Sequence, residues 1–221
     1  FDEAGNGGTP FNPADYNPTI RSDGTSAGSY GRDDGATFWG AAVDGHFQYA
    51  IGFFRGLRGG ANADDNILYA QRFAYNFWEV EKNPGYYTSG TYYGKGGNIL
   101  TIGVSNQYQD DGAGTVTNAG AFRGTAVDIL MEKVLGNGGV ITFNGEYKNY
   151  GVSRGNGNYN YDNVNIPPTP TTPGGFAMFE GNAYDFSGMY LFPQKIWIGQ
   201  MQPYVRYVNV DPNRSAERDV Y

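Results

Sequence analysis

Acidic side chains recur at alternating positions in the middle of the chain, where they could act as acids, bases or ligands. Asp128, Glu132 and Glu146 fall on segments that face each other across a tight turn at Asn137. A pair of carboxylates in such a place could hydrolyse a glycosidic bond. No aromatic sugar cleft is apparent around them, and Lys148 is placed to balance their charge. We therefore favour a wall of mixed charge over a catalytic pair.

The composition argues against most other kinds of catalytic or metal-binding site. The chain has no Cys and one His, His46, which leaves no thiolate chemistry, no pair of zinc ligands and no basis for a His-based triad. Three pairs of aspartates in loops could hold calcium through oxygen ligands, although none has EF-hand spacing: Asp33-Asp34, Asp64-Asp65 and Asp110-Asp111. We expect no enzyme and no cofactor beyond a loop-bound calcium ion. A net charge of −7 without a basic stripe argues against a nucleic-acid partner.

The elements that carry these residues alternate apolar and polar side chains with a period of two, which is typical of β-strands. The pattern recurs over about eight segments, which are 36–43, 46–55, 67–78, 99–109, 125–135, 140–149, 182–192 and 195–210. It predicts an all-β, antiparallel fold. We expect residues 1–35 to be an irregular loop segment. Residues 36–221 would form one domain, which we interpret as incomplete.

Connection lengths alternate along the predicted strands. Short turns are expected at Asp44-Gly45, at 136–139 and at Pro193-Gln194. Long connections are expected at 57–65, 110–120 and 150–181. Short and long connections would then lie at opposite ends of the sheet, as in transmembrane β-barrels with short periplasmic turns and long outer loops. One connection, 79–98, is long and Tyr-rich where a short turn is expected.

The composition of the two faces favours a membrane barrel over a soluble sandwich. One face carries large apolar residues that we predict to face lipid: Phe47, Tyr49, Ile51, Phe53, Phe73, Tyr75, Leu100, Ile102, Val104, Ile129, Ile141 and Phe143. The other face is rich in Gly, Ala, Ser, Asn and Gln, which suits a water-filled lumen. Its charged residues would line the pore: Arg72, Lys148, Arg206, Asp128, Glu132, Glu146 and Asp185. No apolar run reaches the length of a transmembrane helix.

Two interpretations of the inward arginines stay open at this point. Arg72 and Arg206 could form a cationic patch that concentrates anions. They could instead form ion pairs with neighbouring acids, which is the interpretation we favour. Because the wall contains both signs of charge, we expect a general or weakly selective channel.

Several stretches resemble a known family: "GRDDGATFWG", "GHFQYAIGFFRGL", "FAYNFWEVEKNPGYYTSGTYYGKGGNILTIGVSNQYQ" and "QPYVRY". They look like the phosphate-selective porin O/P-like group of Gram-negative outer-membrane porins, over about residues 31–210, with 73–109 the most specific part. The resemblance implies a 16-stranded barrel, usually a homotrimer, of which this chain covers about half. It does not imply phosphate selectivity, because a ladder of inward Arg and Lys is missing.

The sequence thus predicts passive transport of ions and small polar solutes through a channel in the cell outer membrane. The expected partners are membrane lipid and lipopolysaccharide, the passing solutes, and further copies of the chain in a trimer. Two alternatives remain. The first is a secreted β-sandwich that binds carbohydrate on Tyr86, Tyr87, Tyr92 and Tyr93. The second is an outer-membrane barrel without a channel, acting as an adhesin or scaffold.

Overall fold

Antiparallel strands make up the regular structure. A computed structural model of the chain describes residues 34–56, 62–81, 90–115, 118–153, 181–212 and 218–220. The strands are β1 (Gly35–Ala42), β2 (Phe47–Phe54), β3 (Leu68–Asn76), β4 (Ile99–Thr115), β5 (Asn118–Val134), β6 (Val140–Ser153), β7 (Gly181–Leu191), β8 (Lys195–Ile196), β9 (Gly199–Gln200), β10 (Tyr204–Pro212) and β11 (Arg218–Val220). Within these described ranges, no helix is long and apolar enough to cross a membrane.

Nine of the strands form a single sheet in the order β1-β2-β3-β4-β5-β6-β7-β10-β11, and β8 and β9 pair separately as a small hairpin. Each strand of the sheet pairs antiparallel with the next, so the chain runs as a meander. The predicted all-β, antiparallel class is confirmed. β1 and β11 stand at the two edges, and no pairing between described residues joins those edges. Closure into a barrel therefore stays a prediction.

The first seven predicted strands each overlap one of β1 to β7, and the eighth is right only in its second half, where residues 204–210 lie in β10. The segment 195–210 is not one strand, because Trp197 adopts a left-handed backbone (φ 62°) and folds Lys195–Gln200 into the β8–β9 hairpin. Regular pairing with β7 resumes only at Tyr204, after Pro203. The expected short turn at Pro193-Gln194 is therefore a longer, folded connection.

The predicted long loop 110–120 is also wrong. β4 continues to Thr115 and β5 begins at Asn118, so most of this Gly- and Ala-rich stretch is paired strand. The register shifts between Gln109 and Ala113, where Asp111 takes a positive φ of 53°. A bulge of this kind absorbs the extra residues without ending the ladder. The composition indicated a loop because composition alone does not show that residues 113–115 hydrogen-bond to residues 118–120 of the partner strand.

Two expected short connections are confirmed, with one change of length. Residues 43–46 connect β1 to β2, so the Asp44-Gly45 turn spans four residues and not two. Gly45 has φ 91°, and its amide donates to the carbonyl of Ala42 over 3.1 Å. Residues 135–139 connect β5 to β6 and are closed by a bond from the Leu135 amide to the Gly139 carbonyl. The connection 77–98 shares their end of the sheet.

The small and polar face of the sheet is more deeply buried than the apolar face, which is the reverse of what is found in water-soluble sheets. Small and polar residues make up most of one face, here called the polar face, and many are buried, such as Ala74 (7% exposed), Thr101 (2%) and Thr142 (1%). A few large apolar residues, among them Ile99 and Leu130, are buried on this face as well. Large residues form the apolar face, where Phe73 and Ile102 remain more than a third exposed. All twelve residues predicted to face lipid lie on the apolar face and are half-buried or exposed. Neighbouring rings contact one another there, as Phe53 and Tyr69 do edge to face.

Candidate functional site

Three carboxylates lie side by side on the polar face. The register places Asp128 of β5 opposite Glu146 of β6, and Glu146 opposite Asp185 of β7. Neighbouring strands are only about 4.8 Å apart. Like charges directly opposite each other are destabilising, so each carboxylate needs a compensating charge.

Each of these carboxylates has a cationic partner on the same face. Arg72 binds Asp128 with two hydrogen bonds, one of them from Nη2 to Oδ1 over 2.6 Å. Arg206 binds Asp185 in the same two-pronged way, with Nε donating to Oδ1 over 3.0 Å. Lys148 Nζ lies 2.9 Å from Glu146 Oε2. We call these six residues the ion-pair row.

The ion-pair row brings together six of the seven residues predicted to line a pore. The interpretation of Arg72 and Arg206 as ion-pair partners is confirmed, because both guanidinium groups are engaged by acids. A guanidinium held in two parallel hydrogen bonds is fixed in direction, which a single contact would not achieve. The three pairs sum to zero charge, so their combined electric field is weak at distances beyond the pairs themselves.

The Arg72–Asp128 pair spans β4, and Gly103 makes the crossing possible. Arg72 on β3 lies opposite Ser105, and Asp128 on β5 lies opposite Gly103, so the two side chains meet above Gly103. A Cβ at Gly103 would lie 2.6 Å from Oδ2 of Asp128 and 2.7 Å from Cζ of Arg72. Only a residue without a side chain fits beneath this pair.

Glu132, the seventh predicted residue, does not contact solvent. Its side chain is 0% exposed, and residues 91–94 of the connection between β3 and β4 cover it. Its carboxylate accepts bonds from the Thr91 hydroxyl (2.7 Å), the Tyr92 amide (3.0 Å), the Gly94 amide (2.6 Å) and the Thr142 hydroxyl (3.0 Å). Glu132 is on the predicted face, but it holds a segment of the chain and does not line open space.

Glu81 is a second buried acid of the same connection. It is 4% exposed, its Oε1 accepts a 2.7 Å bond from the Tyr92 hydroxyl, and its amide donates to Asn76 Oδ1. Burial raises the pKa of the Glu81 carboxyl, and the negative charge of Asp128 adds to that rise. The hydrogen bonds from Tyr92 and Thr101 and the charge of Arg72 act in the opposite direction on this pKa.

A buried amide holds the connection at the other end of the sheet. Gln109, 2% exposed, donates from Nε2 to the carbonyls of Arg55 (3.1 Å) and Asn66 (2.8 Å). Asn62 closes the same connection through two bonds with Asn66. Buried side-chain amides thus satisfy backbone groups that no strand partner reaches.

The loop aspartates do not assemble into a metal site in the described part of the chain. Asp34 binds Arg55 at 3.1 Å, Asp110 accepts from the Tyr108 hydroxyl, and Asp111 accepts from Asn66. Among the described residues, no group of three or more His, Cys, Asp or Glu side chains could hold an ion. Asp33 lies outside these residues.

Sequence reasoning missed the residues that hold the connections, namely Asn76, Glu81, Thr91 and Gln109. Asn76 and Gln109 fall at the expected period on the polar face, but nothing in the alternation shows that their amides are engaged. Glu81 and Thr91 lie in the connection that broke the expected pattern of short turns. That unexplained length was the available signal that the segment has a structural role.

The fold and this face together define an all-β protein with one antiparallel meander sheet whose polar face is organised by internal ion pairs and buried carboxylates. No family model, no curated protein and no solved structure matches the chain. The porin resemblance accordingly stays a prediction.

We predict that Gly103→Ala destabilises the protein by about 1–3 kcal/mol, the usual cost of forcing extra atoms into a packed site. The added methyl would separate Arg72 from Asp128. Urea unfolding followed by tryptophan fluorescence measures the loss. Gly188→Ala is the matched control, because a Cβ there meets nothing within 4 Å. Equal losses in both variants would contradict the role given to Gly103.

We also predict that Glu81 makes stability depend on pH. Because its folded-state pKa is raised above 4.5, the protonated form favours folding, and this contribution is lost as pH rises from about 4.5 through the folded-state pKa. The free energy of unfolding of Glu81→Gln relative to wild type should therefore increase over that window. Each pKa unit by which the folded state raises the pKa of Glu81 corresponds to about 1.4 kcal/mol of stability that is lost over this window.

Tyr92→Phe is a second test that Glu81 is the titrating group, because it should raise the pKa of Glu81 instead of removing its carboxyl. It removes a hydrogen bond that lowers the pKa of Glu81, so the pH-dependent loss should extend to higher pH than in wild type. Unfolding titrations at a series of pH values report both effects. A pH profile that is identical in wild type, Glu81→Gln and Tyr92→Phe would show that Glu81 is not the titrating group.

Proposed function

We propose that this chain forms part of the wall of an outer-membrane β-barrel of the porin type, which passes ions and small polar solutes by diffusion. The observation that carries the proposal is the reversed burial of the two faces. Phe73 and Ile102 are exposed while Ala74 and Thr101 are buried. In water, a sheet that exposed so wide an apolar surface would associate or aggregate. Against lipid, the same surface is in its preferred environment.

The ends of the apolar face support a membrane location. Lys133 lies 5.0 Å from the ring centre of Trp78 at the end of the sheet that carries the short turns. A lysine beside a tryptophan is suited to the interface, where the ammonium reaches the headgroups and the ring lies at their level. Tyr190 and Phe192 contact each other at that same end.

The polar face supports a hydrated passage in place of a dry core. A soluble sandwich requires a second sheet packed on its apolar face. The described residues contain one large sheet and, besides it, only the small β8–β9 hairpin, whose strands have two residues each. Paired charges such as Arg72 with Asp128 are half-shielded, with side chains 24% and 23% exposed, and not sealed away. Charged groups in that state suit the wall of a water-filled lumen.

A barrel without a channel is the second candidate, and a specific observation favours it. The connection between β3 and β4 covers part of the polar face and buries Glu132 completely. If the covered part were continuous across the interior, the barrel would be closed to solutes. Current through a planar bilayer separates the two candidates.

We predict that the apolar face contacts lipid, and two adjacent residues of β4 give a matched test. Because the chain has no Cys, Val104→Cys and Ser105→Cys each create a single labelling position, one on each face. A fluorophore attached at position 104 should be quenched by brominated lipid and protected from aqueous iodide. The fluorophore at position 105 should show the reverse. Equal iodide quenching at both positions would rule out a membrane-embedded sheet.

We further predict stepwise single-channel currents with weak charge selectivity, because the ion-pair row is neutral. Asp128→Asn removes the carboxylate that binds Arg72, so it adds one positive charge to the ion-pair row and should shift the reversal potential in a salt gradient toward anion preference. Arg72→Gln should shift it toward cation preference. Asp44→Asn, in the exposed turn, serves as the control with an unchanged reversal potential. A protein that inserts but stays electrically silent would favour the barrel without a channel.

A further inference from the structure

The turn between β5 and β6 contains an asparagine followed by a glycine. Asn137 and Gly138 are both exposed, and Gly138 has a positive φ of 81°. Because glycine has no Cβ, its backbone nitrogen can be approached closely by the preceding side chain. Attack of that nitrogen on the side-chain amide carbon begins the deamidation of asparagine, which is one reason why asparagine is a thermolabile residue.

The side-chain amide of Asn137 has a partner at each of its two polar atoms. Oδ1 accepts a hydrogen bond from the Gly139 amide over 2.9 Å, and Nδ2 lies 3.4 Å from the hydroxyl oxygen of Tyr190 on β7. A Cβ at Gly139 would lie 2.6 Å from that hydroxyl oxygen, so glycine allows the hydroxyl to come this close to the turn. The Tyr190 ring is held edge to face against Phe192, with centroids 4.8 Å apart.

These two partners suit the two changes that deamidation makes at the amide. Negative charge develops on Oδ1 when the amide carbon is attacked, and an N–H that already donates to this oxygen stabilises that charge. Nδ2 must leave as ammonia, for which it needs a proton that a neighbouring hydroxyl can supply. Before the attack Nδ2 donates to the Tyr190 oxygen. After the attack Nδ2 is an amine with a lone pair, so the same contact can carry a proton in the opposite direction.

We propose that Asn137 deamidates in the folded protein, with the Gly139 amide stabilising the oxyanion and Tyr190 acting as the proton donor. The Gly138 nitrogen forms a bond to Cγ of Asn137 and loses its proton to water. The bond between Cγ and Nδ2 breaks, and Nδ2 leaves as ammonia with the hydroxyl proton of Tyr190, which water replaces. Another water molecule then opens the cyclic succinimide, which leaves aspartate or isoaspartate at position 137.

The two products change the turn in different ways. Aspartate keeps the backbone as it is and adds a negative charge at an exposed position. Isoaspartate routes the backbone through the side-chain carbons, so it lengthens a turn that is closed by the bond from the Leu135 amide to the Gly139 carbonyl (2.8 Å). Deamidation therefore alters the connection between β5 and β6 and leaves the ion-pair row unchanged.

A second Asn-Gly pair within the described residues provides an internal comparison. Gly145 is buried in β6, a strand that is paired on both sides, so attack on Asn144 requires the middle of the sheet to open. Attack on Asn137 requires only the turn to open, because the Gly138 amide is bonded to the Leu135 carbonyl over 2.9 Å. The same dipeptide thus occurs once in an exposed turn and once in a central strand.

Peptide mapping by mass spectrometry, after incubation of the folded full chain at mildly alkaline pH, tests the site without any substitution. Asn137 should convert about tenfold or more faster than Asn144, because a turn opens at much lower cost than a central strand. In the chain unfolded by guanidinium chloride the two rates should become similar. A folded-state rate at Asn137 that does not exceed the rate at Asn144 would overturn the proposal.

Tyr190→Phe tests the proton donor, since it removes the hydroxyl and keeps the ring against Phe192. Conversion of Asn137 in the folded chain should slow roughly tenfold, less than the about 100-fold that a well-placed general acid gives, because 3.4 Å is a long hydrogen bond. The rate in the unfolded chain should not change. Tyr184→Phe, on the apolar face of the same strand, is the matched control and should leave both rates unchanged. An unaltered or faster folded-state conversion in Tyr190→Phe would overturn the role of Tyr190.

Discussion

The rest of the structure depends on which face of the sheet is removed from solvent. In this sheet the small and polar face is the more deeply buried one, and the face with Phe, Tyr, Ile and Val stays exposed. A water-soluble protein gains most of its stability by doing the reverse. The hydrophobic effect therefore does not drive these strands onto a second layer. What holds the described residues together is the backbone ladder between neighbouring strands, together with polar contacts on the buried face and the few apolar side chains buried there, such as Ile99, Leu130 and Val140.

This constraint explains why so many polar groups on the buried face are engaged. A buried donor or acceptor without a partner costs about 1–3 kcal/mol, so a face built from Asn, Gln, Thr and charged residues must satisfy its own groups. Asn76 shows how this is done: its Oδ1 accepts from the Glu81 amide and the Thr101 hydroxyl, and its Nδ2 donates to the His46 carbonyl. The ion-pair row does the same for full charges. Each engaged group also fixes a neighbouring strand or connection, so satisfying the polar face orders the backbone around it.

Much of the fold could be predicted from the sequence. The position of a strand depends on neighbouring residues along the chain, and the alternation of apolar and polar residues shows which side chains share a face. The antiparallel order followed from the connection lengths. The interruption of the eighth predicted strand could not be predicted, because Trp197 adopts a left-handed backbone that such a residue rarely adopts. For the site, the sequence predicted which face carries the charged residues but not which of them contact one another. Which acid meets which base depends on register and on the absence of a side chain at Gly103, and alternation alone specifies neither.

The same polar contacts decide how much of the polar face is open. Glu132 fixes a backbone segment over the face at the short-turn end, and Gln109 fixes the connection between β2 and β3 at the opposite end. Both connections are thus held against the sheet by buried side chains that point the same way as the ion-pair row. In a barrel, strand number and tilt set the width of the backbone cylinder. In the described residues, the extent of polar face that stays uncovered is set by these two connections, and so by a few hydrogen bonds to Glu132 and Gln109 as well as by the number of strands.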